Sequence, residues 1–258
     1  MRTRSVNLAA IALCLFVLGF TARAEELKQA RVTQIVREVK LLPNQAEPRD
    51  ASVNDNVQQG TAVRTGVESR TELTFTDQTL ARLGANTLFS FEEGTRSIDL
   101  GSGAILLRVP KGAGGAQIKT AAVTAAITGT TVLMEHHAGG YSKFIVLEGK
   151  AQLSLKGRPG ETREVEAGEM LVVGPNTTSL PEVMSVDIGR IMETSVLITD
   201  FAPLASVPLI ERQREAQEQE KAEGGYAEQQ NAILPAAAGG AGGGALVSLV
   251  DAISVRAD

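Results

Sequence analysis

The feature that most constrains the fold of this chain is a succession of short apolar segments, interrupted by Gly, Asn, Asp and Pro, across residues 31–174. Within it, Leu73 and Phe75 alternate with threonines, which places apolar and hydroxyl side chains on opposite faces of a strand. The region lacks the three- or four-residue apolar spacing of long helices. The pattern predicts an all-β domain of many short strands, arranged as a twisted β-sandwich or a solenoid.

The individual segments predict strands over residues 32–36, 72–76, 80–83, 89–91, 98–100, 105–109, 117–120, 132–135, 144–147, 151–155 and 170–173. Asp77-Gln78 is predicted to be a hairpin turn, Gly101-Ser102-Gly103 a second turn, and residues 112–115 a flexible tip. The secondary structure of residues 121–128 is left undecided, since their alanines favour a helical turn whereas Val123, Ile127 and the threonines favour a strand.

The sequence changes character after Gly174. Residues 186–201 space their apolar positions irregularly and predict one or two short helices packed against the β domain. Residues 209–223 are charged and lack an apolar stripe, so we expect a solvated helix, with Arg214 paired to Glu218, that adds little to a core. Residues 236–244 are almost pure Ala and Gly. We therefore predict a helical extension over residues 176–223 and a low-complexity, partly disordered tail over residues 224–258.

Residues 1–24 predict a cleavable export signal. Arg2 and Arg4 precede an apolar run over residues 8–20, and Ala22-Arg23-Ala24 is a small-x-small cleavage site. Cleavage after Ala24 would place the mature chain in the periplasm or outside the cell. The run is shorter than the roughly 20 residues that cross a bilayer, so we expect no stable membrane span.

Cleavage also removes the only cysteine, Cys14, which excludes disulfides and thiolate chemistry from the mature chain. Leu13 stands where a lipoprotein signal has a small residue, so lipidation is disfavoured. Three arginines leave with the signal, and the net charge changes from −5 to −8. Aromatic residues make up 3% of the chain and do not cluster with Lys or Arg, so we expect no nucleic acid partner.

Three segments resemble the FecR domain, an exported sensing module of iron-uptake regulators and of many secreted proteins. The first, residues 65–77, reads TGVESRTELTFTD; the second covers residues 118–132, with Ala121 in place of a family proline; the third covers 146–151 and 165–169. The family-motif positions are Thr65, Gly66, Ser69, Asp77, Gly129, Thr130, Glu148, Gly149, Ala167 and Gly168.

The resemblance covers residues 31–174 and implies an all-β domain, residues 25–175, that makes protein contacts. We interpret Gly66, Gly129, Gly149 and Gly168 as positions that backbone geometry requires. Gln78 replaces a family glycine, which disfavours a turn with positive φ there. In the family's regulators the domain relays receptor occupancy to a cytoplasmic anti-sigma segment. Only residues 1–7 precede the apolar run, so we expect this chain to lack that segment.

The two histidines, His136 and His137, are adjacent. Neighbouring residues of a strand point to opposite faces, so the rings cannot easily share one metal, and we interpret them as a surface pair at a strand end. No Gly-x-Ser-x-Gly elbow is present to supply a nucleophile. We therefore predict a non-enzymatic chain without catalytic, cofactor-binding or metal-binding residues.

The leading hypothesis is a protein-interaction or sensing module of the bacterial envelope, with an envelope protein as partner. A break in the sheet at Gly129-Thr130 would leave an edge open to a partner strand. The alternative is a cell-wall or polysaccharide-associated structural protein, although the mature chain offers only Tyr141 and Tyr226 and no Trp as sugar platforms. A hydrolase is third, because paired carboxylates carry no local motif; the candidates are Glu92, Glu93, Asp99 and Glu148.

Overall fold

The computed structural model describes Leu27 and residues 29–92 and 95–223. This part of the chain forms 17 strands and three helices. The strands are β1 (Gln29–Val36), β2 (Val39–Pro43), β3 (Arg49–Asp50), β4 (Asn56–Gln58), β5 (Thr61–Thr65), β6 (Arg70–Phe75), β7 (Leu80–Leu83), β8 (Leu88–Phe91), β9 (Ser97–Arg108), β10 (Ala116–Lys119), β11 (Val123–Ile127), β12 (Thr131–His136), β13 (Ser142–Glu148), β14 (Lys150–Leu155), β15 (Arg158–Glu166), β16 (Glu169–Val173) and β17 (Met184–Ser185). The helices are α1 (Ile188–Thr194), α2 (Val196–Thr199) and α3 (Val207–Ala222). The all-β prediction with a short helical C-terminal region is confirmed.

The strands form a two-layer β-sandwich whose sheets share one strand. Sheet A has the order β4-β1-β6-β7-β9-β12-β13-β16-β17. Sheet B has the order β3-β2-β5-β8-β9-β10-β11-β14-β15. The first half of β9 pairs within sheet B and the second half within sheet A. The described strands do not close into a barrel.

The bend of β9 corrects the turn predicted at Gly101-Ser102-Gly103. The two strands expected on either side are one strand of 12 residues. It bends at these glycines because it passes there from sheet B to sheet A. Gly103 has a φ of +89°, and a Cβ at this position would lie 2.5 Å from the Cα of Thr87. Only glycine permits that approach of the two backbones.

The strand registers define two ends of the sandwich. At one end Ala30 pairs with Phe75, Leu80 pairs with Arg108, and Thr131 pairs with Glu148. We call it the loop end, and it includes the turns at residues 76–79, 109–115, 128–130 and 167–168. At the opposite end, the bend end, Val36 pairs with Arg70 and His136 pairs with Gly103.

The main core lies between the sheets, where inward side chains from both layers meet. Phe75 of sheet A packs edge to face on Phe91 of sheet B, with ring centroids 5.2 Å apart. Residues 123–127, within the stretch that the sequence left open, are a strand of this core: Val123, Ala125 and Ile127 are buried in alternation with exposed or half-buried neighbours. The hydrophobic effect therefore selects the strand there, since period-two alternation suits a sheet with one buried face.

The helices cover the outer face of sheet A and complete a second apolar cluster. Strand residues of this cluster include Leu106, Leu133, Ile145 and Met170, and helical-extension residues include Leu197, Phe201, Leu204 and Ile210. The predicted packing of short helices on the β domain is thus confirmed.

The last helix is solvated and contributes little to a core, as expected, since Ile210 and Gln217 are its buried residues. One expectation about it is wrong. Arg214 pairs with Glu211 at 2.7 Å, whereas Glu218 lies 3.7 Å from Lys221. Residues three apart are also neighbours on a helix surface, so the ion pairs could form with either spacing.

The predicted export signal with Cys14 and the predicted Ala/Gly-rich tail with Tyr226 lie outside the described residues. The domain boundaries stay predictions. None of the described helices is long and apolar enough to cross a membrane.

Candidate functional site

Asp77 and Arg96 form a sheltered ion pair at the loop end. The Asp77 carboxylate accepts hydrogen bonds from the backbone N–H of Thr79 at 2.8 Å and from its hydroxyl at 2.9 Å. The guanidinium of Arg96 pairs with Asp77 and also donates to the carbonyl of Gly115. The two side chains are only 8% and 11% exposed. This pair therefore joins the β6–β7 hairpin to the glycine-rich loop that precedes β10.

The prediction that Gln78 disfavours a positive φ in this hairpin turn is wrong. Its φ is +66°, so the residue adopts the left-handed conformation that glutamine was expected to disfavour. The N–H of Gln78 donates to the carbonyl of Phe75 at 3.0 Å, and the N–H of Phe75 donates to the carbonyl of Thr79 at 2.8 Å. These bonds and those of Asp77 fix the turn, and they offset the strain of a side chain in this region.

Thr130 connects three segments at the loop end. Its hydroxyl donates to the carbonyls of Thr128 at 3.1 Å and Lys150 at 3.0 Å, and its carbonyl accepts from the N–H of Val109 at 3.0 Å. The flanking strands β11 and β12 each have partner strands on both sides. The open edge predicted at Gly129-Thr130 is therefore wrong, because this connection passes between two fully paired strands.

The glycines at this end have the geometric role predicted for them. The φ angles of Gly129, Gly149 and Gly168 are +64°, +81° and +82°. The N–H of Ala167 donates to the carbonyl of Gly149 at 3.1 Å. Four of the motif positions thus build backbone corners.

Glu148 is the buried carboxylate of the loop end and is 6% exposed. The Thr131 hydroxyl donates to its Oε2 at 3.4 Å and also lies 2.8 Å from the hydroxyl of Ser206, the residue before α3. Burial raises the pKa of Glu148, while the positive charges of Lys111, Arg108 and Arg212 and the Thr131 hydrogen bond lower it. The net pKa shift is upward, so three cations face a carboxylate that holds its proton more strongly than usual.

The remaining motif positions, Thr65, Gly66 and Ser69, lie at the bend end. The Thr65 hydroxyl donates to the carbonyl of Gly84 at 2.6 Å and accepts from the N–H of Thr87 at 2.8 Å. The Ser69 hydroxyl accepts from the N–H of Glu38 at 3.1 Å. Seven of the ten positions are therefore brought together at one end, and these three stabilise turns at the other.

The histidine pair is not the surface pair that the sequence predicted. His136 is 3% exposed, and its Nδ1 lies 2.9 Å from the hydroxyl of Ser142. The side chain points into the sandwich, because alternation along β12 directs it to the inner face. His137 is exposed and pairs with the Glu135 carboxylate. Within the described ranges, no three or more His, Cys, Asp or Glu residues are grouped to hold a metal ion.

The carboxylates considered for hydrolysis do not form one group. Glu92 pairs with Lys119 at 2.9 Å, and burial together with the charge of Glu92 raises the pKa of Asp99. These residues belong to sheet B, whereas Glu148 lies on sheet A. Glu93 lies outside the described residues.

Two open grooves at the loop end were not predicted from the sequence. The first has a volume of about 270 Å³ and is lined by Gln29, Arg31, Thr33, Thr74, Phe75, Thr76 and Gln78. The second has a volume of about 420 Å³ and is lined by residues 95–97, 114–117 and 126–128. The Asp77–Arg96 pair lies between them, since Thr76 and Gln78 line one groove and Arg96 lines the other.

Four cations surround this end of sheet A without an ion-pair partner among the described residues: Arg31, Arg108, Lys111 and Arg212. Asp77, in contrast, is already paired with Arg96. These four cations lie at one end of a chain whose net charge is −5.

The central part of this all-β sandwich is similar to a known family. Residues 61–152, from β5 into β14, match the family model described as FecR protein. The resemblance drawn from the sequence is confirmed over this range. Ala167 and Gly168 lie beyond the match.

The chain is also similar to two crystal structures, at 1.65 and 2.50 Å resolution, of a candidate anti-sigma factor from Parabacteroides distasonis ATCC 8503. Both have a TM-score of 0.44 and 14% sequence identity, over 51% of this chain and 62% of that one. The chain thus spans 62% of the length of these structures. No curated protein matches it.

Proposed function

We propose that this chain is an exported, non-enzymatic FecR-domain module of the bacterial envelope that binds or senses a protein partner in the periplasm or outside the cell. The FecR match supports a sensing or regulatory module. Export rests on the signal predicted over residues 1–24, and the partner's identity as an envelope protein follows from that location.

The observation that carries the proposal is that the motif residues of the loop end make internal contacts, whereas their exposed neighbours line a groove. Motif residues such as Asp77 and Thr130 direct their polar atoms to backbone groups and to one internal ion pair. The neighbouring exposed residues Arg31 and Gln78 line an open groove instead. A rigid scaffold that presents variable polar loops at one end is the usual arrangement of a binding module.

The direct test is a crosslinking capture from envelope fractions with the tagged, exported protein. We expect a specific envelope protein to be recovered from wild-type cells, and recovery to fall when Arg31→Glu and Arg108→Glu are introduced together. Arg64→Glu is the matched control, because Arg64 is an exposed arginine of β5 in sheet B. Cell fractionation tests export in the same experiment.

A truncated version should end after Glu223, since a cut near residue 175 would uncover the apolar residues Leu106 and Leu133 on sheet A. Capture that survives this truncation assigns binding to the described domain. Capture that disappears assigns it to the tail. Recovery of cell-wall polymer without protein would overturn the proposal in favour of a wall-associated structural role.

A further inference from the structure

We propose that the loop end binds an extended acidic segment of a protein, with the guanidinium groups of Arg31 and Arg108 as the two charged contacts. This inference rests on the proposed function and specifies the chemistry of the partner. The segment lies across the strands of sheet A, over the groove of about 270 Å³.

The register of sheet A aligns the two arginines on one row. Arg31 of β1 pairs with Thr74 of β6, Thr74 pairs with Leu80 of β7, and Leu80 pairs with Arg108 of β9. All four side chains belong to the outer face, because their neighbours Val32, Leu73, Ala81 and Leu107 are buried in the main core. Residues distant in sequence therefore form a single line across four strands, in which Leu80 is half-buried and packs against the apolar cluster of the helical extension.

The spacing of this row matches an extended peptide. Neighbouring strands lie about 4.8 Å apart, so three steps separate the Cα atoms of Arg31 and Arg108 by about 14 Å. An extended chain rises about 3.3 Å per residue, and residues i and i+4 point to the same side about 13 Å apart. Two acidic residues at i and i+4 can thus meet both arginines.

Two exposed side chains of the groove suit a peptide backbone. Thr76 and Gln78 are exposed there, and their hydroxyl and amide groups can both donate and accept hydrogen bonds. The Thr33 hydroxyl, in contrast, already donates to the Glu72 carboxylate at 2.7 Å. An extended backbone offers donors and acceptors in alternation. The groove lacks an exposed ring, since its one aromatic residue, Phe75, is 1% exposed, so it has no stacking surface for a sugar.

The charges favour an anionic occupant. The guanidinium of Arg108 donates a 3.4 Å hydrogen bond to the carbonyl of Gln78, which places it at the groove. Neither Arg31 nor Arg108 has an ion-pair partner in the described part of the chain. Lys111 and Arg212 lie beyond Arg108, around Glu148, and add to the positive potential. A carboxylate accepts a guanidinium through paired hydrogen bonds, so acidic side chains are the matching groups.

The test is fluorescence anisotropy of the purified full chain with a labelled nine-residue Ser/Thr peptide that carries Glu at positions i and i+4. We expect saturable binding that weakens as salt is raised, since exposed charges are screened. Arg31→Gln and Arg108→Gln should each weaken binding about threefold, and the double variant about tenfold, as expected for exposed ion pairs. Arg64→Gln is the matched control and should leave binding unchanged.

Peptide variants test the geometry independently of the protein variants. Moving the second Glu to i+2 shortens the charge separation to about 7 Å, and this peptide should bind more weakly than the i+4 peptide. Equal binding of the two peptides, or tighter binding of an acidic polysaccharide such as polygalacturonate, would overturn the inference. Self-association of the chain that depends on Arg31 would overturn it as well, in favour of a second copy.

The peptide result and the capture result are separable. If an envelope protein is captured but acidic peptides do not bind, the inference fails and the proposed function stands. If the peptides bind but no protein is captured, the proposed function fails although the groove's chemistry is as argued. Thermal unfolding of each variant establishes that the arginine substitutions leave the fold intact.

Discussion

The guanidinium of Arg82 lies over the ring of Phe201, with its central carbon 4.7 Å from the ring centroid. Arg82 belongs to β7 and is 1% exposed, while Phe201 follows α2 in the helical extension. The same guanidinium pairs with Glu72 at 2.8 Å and donates to the carbonyl of Leu197 at 3.0 Å and to that of Ala202. One buried cation thus binds the helical extension to the outer face of sheet A.

Replacing Arg82 should destabilise the whole domain. In Arg82→Met the side-chain volume is largely kept, but the Glu72 carboxylate and two carbonyls lose their donor. Breaking a buried ion pair on one side costs about 3–5 kcal/mol. Urea unfolding followed by circular dichroism should show a loss of that size, and the exposed control Arg64→Met should change the free energy of unfolding by less than about 0.5 kcal/mol. A loss below about 1 kcal/mol would mean that Arg82 does not hold the extension.

The turn at Gln78 should tolerate glycine better than glutamine. Its φ of +66° strains any side chain, whereas glycine adopts it freely. Relief of this strain stabilises the folded state, and the greater freedom of glycine in the unfolded chain offsets part of that stabilisation. We therefore expect Gln78→Gly to raise the free energy of unfolding by about 0.5–1 kcal/mol. Thermal unfolding measures it directly.

Gln152→Gly is the control for this turn, because Gln152 is an exposed residue within β14. Glycine in a strand interior lowers stability by about 0.5–1 kcal/mol, so the two substitutions should have opposite signs. Destabilisation by both would indicate that the Gln78 side chain makes a contribution larger than the backbone strain.

The sequence predicts most of the strands whose apolar side chains alternate, because a buried face leaves that pattern, but it missed β2, in which Val39 and Leu41 are buried. It does not reveal β15, which is paired on one side with β14 and is mostly exposed. A strand that buries little beyond Val165 has no alternation to detect. The short strands β3 and β4 offer two and three residues, too few for any periodicity.

The loop end could be predicted only in part for a related reason. The glycines and Thr130 were identifiable as turn residues, since their conformational requirement is local. The row that joins Arg31 to Arg108 depends on the register of four strands, which no local pattern specifies. His136 was misplaced because its neighbours are polar, whereas strand alternation directs its ring inward.

The Thr65 hydroxyl should stabilise the fold through its hydrogen bonds at the bend end. Thr65→Val keeps the shape of the side chain but leaves the buried Thr87 N–H without its acceptor, whereas the Gly84 carbonyl still accepts from the Thr87 hydroxyl at 2.9 Å. One unsatisfied buried group costs about 1–3 kcal/mol, so we expect a loss of that size. Thr61→Val on the same strand is half-buried and should be nearly neutral. Similar effects of the two substitutions in urea unfolding would argue against the hydrogen-bond role.

Protonation of His136 should weaken the fold in mild acid. Burial, with a smaller effect from the neighbouring His137, lowers the pKa of His136 below its ordinary value of 6.5. The unfolded chain therefore binds a proton at this position at a higher pH than the folded chain does. By linkage, the stability that neutral His136 allows is present above about pH 6.5 and is lost as the pH falls through the folded-state pKa.

The measurement is the free energy of unfolding between pH 5 and pH 8, for the wild type and for His136→Gln, with His137→Gln as the exposed control. The glutamine at residue 136 can still reach the Ser142 hydroxyl, which lies 2.9 Å from Nδ1 of the histidine. We expect the slope below about pH 6.5 to be reduced in His136→Gln and largely kept in His137→Gln. An unchanged slope in His136→Gln would show that other groups cause the acid sensitivity, and that His136 can be charged inside the sandwich without loss.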